Sequence, residues 1–303
     1  MTPDLLLDAR ATLGEGPVWH PRFQQLLWVE IEGHAIHVTD TDGPRDRVIP
    51  VGEQVGCLAP AAASLIVMGL RSGFAVMDIE TARRAHIEDP ELHLPENRFN
   101  DGKCDPAGRF WAGTMHESGE ERDRGALYCL DTNLRVTCKV PGVSISNGLA
   151  WSLDNRTMYY VDSPTKQIVA YEYDMATGAI GRPRLVYQVR EKEGDPDGMT
   201  IDTDGHLWLA LWDGSAVVRI DPTAGTVVDR IDLPVSRPTS CTFGGARLDE
   251  LYITSARQNL SSAQLAREPQ AGGVFVCRPG QQGLPAVEFG GTKALQRLLS
   301  GTP

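Results

Sequence analysis

Basic charge is scarce in this chain: 29 lysines and arginines stand against 40 aspartates and glutamates, a formal net charge of −11. The pI is near 5.1. Nucleic acid and anionic membranes recruit clustered Lys and Arg to displace counterions, so neither is expected as a partner. A cation or a small neutral substrate suits the balance better. Paired cysteines are missing too. Cys57, Cys104, Cys129, Cys138, Cys241 and Cys277 are scattered without a CxxC, which excludes a zinc knuckle and a compact disulfide frame. No run is apolar for long enough to span a membrane, and the opening MTPDLLLDAR has neither the basic region nor the apolar stretch of a secretion signal. The expectation is a reduced, cytoplasmic protein with buried, inert thiols and no implied protein partner.

Several catalytic signatures are absent as well. The seven histidines show no HxH or HExxH spacing, there is no GxSxG elbow, and no GxGxxG follows a strand and opens a helix. A histidine zinc site, a serine acyl-enzyme and a nucleotide cofactor therefore have no visible seat. What the chain does hold is 31 glycines and 20 prolines in 303 residues, with 41% hydrophobic and 23% charged residues. That is a folded protein that turns often, and not a helical bundle.

The turns conceal a repeat. EGPVWHPRFQQLLWVEIEGHAIHVTD from Glu15, NDGKCDPAGRFWAGTM from Asn100, NGLAWSLDNRTMYYVDSPTKQIVAYEYD from Asn147 and DGMTIDTDGHLWLALWDGSAVVRID from Asp197 share one pattern. Each starts at or beside a polar residue joined to glycine, runs as a short apolar strand, turns at an Asp, Gly or Pro cluster and returns as an aromatic, β-branched strand. Weaker copies begin at Gly56 and Ser240. Openings at 15, 56, 100, 147, 197 and 240 recur every 41 to 50 residues, a span that holds a four-stranded sheet. The pattern predicts an all-β, six-bladed β-propeller over residues 1–290. Leu5–Ala11 is expected to close the ring by adding a strand to the last blade. Residues 291–303 have helical spacing and are set apart as a tail, disordered or an expression remnant. The tryptophans, Trp212 among them, read as propeller core.

Innermost strands of a propeller line its axis, so Glu15, Asn100, Asn147 and Asp197, at equivalent places in four repeats, converge. One Asn-Gly or Asp-Gly is an ordinary turn former. Four in register make an oxygen cage with two negative charges, and an axial divalent cation relieves the repulsion of clustered acids. Oxygen ligands suit a hard cation such as calcium, magnesium or manganese.

LGEGPVW, RFNDGKCDPAGRFWAGTM, ISNGLAWSLD, DPDGM, DGHLWLALW, SCTFGG and EPQAGGVF, in this order along nearly the whole chain, resemble the family of regucalcin, gluconolactonase and the bacterial sugar lactonases. The resemblance implies one divalent cation in the channel, calcium first with manganese, zinc, magnesium or iron(II) as alternatives, and hydrolysis of an aldonolactone. It implies Glu15, Asn147 and Asp197 as metal ligands, Arg98 and Asn100 as substrate contacts, and Asp101 as a support behind them. Some relatives carry a substrate-contacting glutamate just after GTM. Here GTMHESGEE leaves Glu117 or Ser118 for that role. Asp197 is the expected general base, with a metal hydroxide as the alternative. An organophosphate triesterase and a non-catalytic calcium-binding propeller are the competing readings. Lys103 reads as structural.

Overall fold

The computed structural model describes residues 2–43 and 45–301. Its strands form six four-stranded antiparallel sheets. The inner strands are Gly14–His20, Val55–Pro60, Asn97–Cys104, Ser146–Trp151, Asp195–Ile201 and Pro238–Gly244. Each expected repeat opening falls inside one of them. Neighbouring inner strands pack together around an axis and the sixth packs back on the first, so the molecule is a six-bladed β-propeller.

Ring closure comes from the N-terminus. Asp4–Leu7 is the outermost strand of the sixth sheet, pairing Asp4 with Val276 and Leu7 with Val274. The strand is shorter than Leu5–Ala11, because Arg10 turns to a φ of 53° and Ala11 instead donates its N–H to the Gly272 carbonyl at 2.9 Å. Without it the Val274–Cys277 edge would be unpaired.

Middle strands are buried on both faces, as in Leu65–Leu70, LIVMGL, whose six residues are all buried. Outermost strands such as Thr226–Asp232 face solvent along most of their length. Among the described residues six apolar clusters occupy the gaps between blades. Trp28, Trp111 and Trp208 anchor three of them from second strands, fully buried. Losing one such indole would cost about 3–5 kcal/mol.

Two blades share a turn device at the face opposite the strand beginnings. In DPAGRFW, Asp105 Oδ1 accepts from the Ala107 and Arg109 N–H groups at 3.0 and 2.9 Å, with Gly108 at φ 78° completing the turn. Its Oδ2 accepts from Arg109 Nε at 2.6 Å, Trp111 Nε1 at 2.8 Å and the Tyr173 hydroxyl at 2.7 Å, which ties blade 3 to blade 4. Asp202 repeats the arrangement in DTDGHLW with Trp208 Nε1 and Arg219 Nε at 2.9 and 2.8 Å. These acids are saturated with donors.

The C-terminal tail differs from the expectation of disorder. Residues 278–291 run across this same face, with Thr203 donating to the Gln282 carbonyl, Phe289 to that of Pro60 and Gly290 to that of Gly108. Thr292–Ser300 then forms a helix whose Leu295 is fully buried in the cluster between blades 2 and 3, beside Leu298 and Leu299. The helical spacing of these leucines gives the segment an apolar face to dock. Residues 302 and 303 lie outside the described residues.

We predict that Asp105→Ala, which strands Arg109, the Trp111 indole and the Tyr173 hydroxyl without their buried acceptor, lowers unfolding stability by about 3–5 kcal/mol. Urea denaturation measures this, and a loss below about 1 kcal/mol would show that the carboxylate does not tie the blades.

Candidate functional site

Glu15, Asn100, Asn147 and Asp197 line one cavity of about 370 Å³ at the end of the channel where the inner strands begin. A slip in the ladder puts them there. Phe99 pairs with Thr114 but Gly102 with Ala112, Ser146 with Asp162 but Leu149 with Tyr160, and Pro196 with Leu211 but Met199 with Leu209. Asn100, Asn147 and Asp197 are therefore bulge residues, released from the ladder so that their side chains can be re-aimed. Glu15 stands immediately before the equivalent slip in blade 1. Glycine follows Asn147 and Asp197 because the next blade is close: a Cβ on Gly198 would lie 2.1 Å from Ser240 Oγ.

The cage is held from behind. Asn147 Nδ2 donates to Ser163 Oγ at 2.8 Å, and Ser163 Oγ donates to the Pro196 carbonyl at 2.6 Å. Asn100 Nδ2 donates to the Ser146 carbonyl at 2.9 Å and to Asn147 Oδ1 at 3.1 Å. Arg98 Nη1 donates to Asn100 Oδ1 at 2.8 Å and to the Phe99 carbonyl at 3.0 Å. Its Nε, though buried, has no partner.

The carboxylates are less satisfied. Glu15 Oε2 accepts from the Gly16 N–H at 2.9 Å and Asp101 Oδ1 from that of Gly102 at 2.7 Å, while the buried Asp197 Oδ1 has no partner. Burial, reinforced by the Asp101 charge, pushes the Glu15 carboxyl up to about 8. Burial and then the Glu15 and Asp101 charges push Asp197 well above the usual range. Asp101 is raised by burial against the pull of Lys103. Lys103 reaches across the channel, where Nζ donates to the Met199 carbonyl at 2.6 Å, a structural placement. Buried acids that oppose one another's ionisation, with an orphaned carboxylate oxygen and oriented amides beside them, form a donor set that fits a hard cation.

Arg98, Glu117 and Ser118 line the same cavity, while Asp101 does not and sits behind it. Among the wall residues that escaped the sequence reading are Trp212, Gln258 and Asn259. Trp212 ends its strand half-buried, packing against a core cluster on one side and lining the cavity on the other, with the Arg237 guanidinium 4.9 Å from its ring centre. Gln258 and Asn259 come from a segment between two strands of blade 6 that has no counterpart in the repeat. Five thiols are buried as expected, but Cys138 is exposed on an outermost strand. Among the described residues no helix is long and apolar enough to cross a membrane.

Asp202, Asp204 and His206 also bring ligand atoms together, on the opposite face. Arg219 already supplies the cation there, at 2.8 Å from Asp202 and 2.7 Å from Asp204.

Residues 13–257 match the family described as SMP-30/Gluconolactonase/LRE-like region. The chain is similar to Regucalcin of Gallus gallus, 40% identical over 287 residues covering 93% of this chain and 96% of that one. It is 38% identical over 284 residues to the protein named Putative sugar lactone lactonase YvrE of Bacillus subtilis (strain 168), covering 94% and 97%. A solved structure described as a calcium-binding protein, regucalcin, from Agrobacterium tumefaciens strain C58 superposes with a TM-score of 0.91 at 28% identity, over 95% of this chain and 97% of that one. With the propeller and its axial oxygen cage, these matches place the chain in the SMP-30/gluconolactonase/LRE-like family.

Proposed function

We infer that this protein hydrolyses a sugar lactone to its aldonic acid, with one divalent cation held by Glu15, Asn147 and Asp197. The observation that carries the reading is the buried, unpartnered Asp197 Oδ1 at the cavity floor beside the uncompensated Glu15 carboxyl. The solved Agrobacterium relative is described as calcium-binding, which supports calcium as the ion. The relative from Bacillus subtilis whose name includes sugar lactone lactonase supports the reaction.

A divalent cation held by Glu15, Asn147 and Asp197 would supply Lewis acidity toward a lactone carbonyl and toward the negative charge developing on its oxygen. The chain's own residues do the rest. Arg98 is buried with Nε unpaired and Nη1 locked on Asn100, so the rest of its planar fork is free to hold sugar hydroxyls or the developing carboxylate. Asn100 cannot turn, because both ends of its amide are engaged. Asp197 is the group that accepts a proton from the attacking water. Glu117 and Ser118 lie on the wall where ring hydroxyls would reach.

The second reading is a calcium-binding propeller without turnover, supported by the description of the Agrobacterium structure. Activity separates the two. In EDTA-stripped protein offered glucono-, galactono-, xylono- and arabinonolactones, acid release above the spontaneous rate is expected only after calcium, manganese, zinc or iron(II) is added. Asp197→Asn is expected to reduce that rate about a thousandfold with the melting temperature preserved. Folded protein inactive on all four lactones with every metal would remove the hydrolase reading in favour of the calcium-binding one.

A stability measurement tests the cage without turnover. In metal-free protein the folded state holds Glu15 protonated up to about 8, whereas the unfolded chain ionises it near 4.5. Its contribution is therefore complete below the lower value and is lost as pH rises through the higher one. The melting temperature of stripped protein should fall across that window, and calcium should restore it at the alkaline end. Glu15→Gln should flatten the pH dependence and weaken the calcium titration. A calcium affinity unchanged in Glu15→Gln would remove Glu15 from the ligand set.

A further inference from the structure

The cavity wall on the side of blades 2 and 3 contains an ion pair that neither the repeat nor the cage calls for. Glu117 directly follows the second strand of blade 3, Phe110–His116, and its backbone N–H is anchored on the Glu96 carbonyl at 2.8 Å. Its Oε2 meets Arg71 Nη1 at 2.6 Å. Arg71 comes from a different blade, on the turn between Leu65–Leu70 and Gly73–Asp78. It is itself fixed: its backbone N–H donates to the Gln54 carbonyl at 2.9 Å, Nη1 to Gln54 Oε1 at 3.3 Å and Nη2 to the Pro95 carbonyl at 3.1 Å.

Ser118 is spent locally by comparison. Its hydroxyl lies 2.9 Å from His116 Nδ1 and accepts from the Glu120 N–H at 3.2 Å. Glu117 is thus the wall group with capacity to spare, since an ionised carboxylate has about four acceptor positions. Arg71, and after it Arg98, hold the carboxyl below its ordinary range, so it stays an acceptor at neutral pH. A second cavity of about 240 Å³ lies beyond this wall, lined by Arg71 and Arg98 but not by Glu117. The ion pair stands between the two spaces, and on the blade 2 side Arg71, its largest partner, together with the Gln54 side chain holds Glu117 toward the larger one.

We propose that Arg71 is a positioning residue for substrate choice: through its ion pair it fixes Glu117 at the cavity wall as the acceptor for ring hydroxyls of a polyhydroxylated lactone. This rests on the lactonase reading. It makes Arg71 the determinant of preference for hydroxylated over bare lactone rings, without a part in the bond-breaking step.

The test compares wild type, Arg71→Met, Arg71→Lys, Glu117→Gln and the double variant Arg71→Met/Glu117→Gln in calcium, on the best of the four aldonolactones and on δ-valerolactone, which has no hydroxyls. Arg71→Met should raise KM for the sugar lactone about tenfold, as mis-setting a charge-assisted hydrogen bond does, with kcat within about twofold. Its constants for δ-valerolactone should match wild type. Arg71→Lys should recover most of the KM, and the double variant should be no worse than Glu117→Gln, because both changes remove one interaction. Equal losses on both lactones would mean general damage and overturn the proposal, as would an unchanged KM or additive effects in the double variant. Wild type that turns over neither lactone would sink the hydrolase reading separately. Calorimetric titration of the four aldonates then decides on Arg71, with about tenfold weaker binding by Arg71→Met supporting its role and equal binding, or none to wild type, overturning it.

Discussion

The structure turns on one electrostatic constraint: Glu15, Asp101 and Asp197 are buried near one another at the end of a channel, and each is pushed toward its neutral form. Removing a carboxylate from water is costly, and a second carboxylate nearby adds to that cost. Local hydrogen bonding does not offset it, since Glu15 and Asp101 each accept from the adjacent glycine N–H and Asp197 Oδ1 accepts from nothing. Lys103 compensates Asp101 from below but spends its hydrogen bond on the Met199 carbonyl. A propeller can sustain such a concentration of unfavourable charge because the six inter-blade clusters carry the stability elsewhere.

The contrast with the opposite face sharpens this point. Asp105 and Asp202 are as buried as the channel acids, yet every oxygen on them is matched by backbone N–H groups, an indole and an arginine. Those carboxylates are structural, and the chain provides their counter-charge from within the same blade. Near the beginnings of the inner strands the buried guanidinium of Arg98 is turned onto Asn100 and not onto Glu15 or Asp197. The same residue type therefore does two jobs, separated by whether the fold supplies a cation. The Asp202, Asp204 and His206 group falls on the structural side of that line, because Arg219 is already there.

Much of this was legible in the sequence because a propeller writes its architecture as a period. The openings at 15, 56, 100, 147, 197 and 240 fall within the six inner strands, and the same equivalence brings Glu15, Asn100, Asn147 and Asp197 to one cavity. Whatever breaks the period was harder to read. Trp212 looks like the aromatic residues that fill the gaps, and only its position at the strand end exposes it to the cavity. Gln258 and Asn259 arrive on an insertion, and Arg71 lies in a turn of one of the two blades with a weaker repeat. The terminal helix shows its leucine spacing in the sequence, but its docking between blades 2 and 3 depends on how residues 278–291 cross the molecule.

The charge arrangement also bears on how a lactonase here would release product. A lactone enters neutral and leaves as an aldonate anion, so any positive group that steadies the developing charge also tends to retain the product. With a divalent cation held as proposed, the two ligand carboxylates would leave the cage near neutral. Glu117 and Arg71 cancel each other on the wall. Arg98 is then the buried positive group lining the cavity, with Arg122 exposed at its rim, and burial together with the surrounding Glu32, Glu15 and Glu117 sets how strongly Arg98 acts. Burial weakens the guanidinium's charged form while those acids favour it, but the same acids repel an arriving anion. An arginine placed among carboxylates can therefore stabilise charge at the short range of a hydrogen bond while offering little long-range attraction to a product carboxylate, which combines transition-state stabilisation with release.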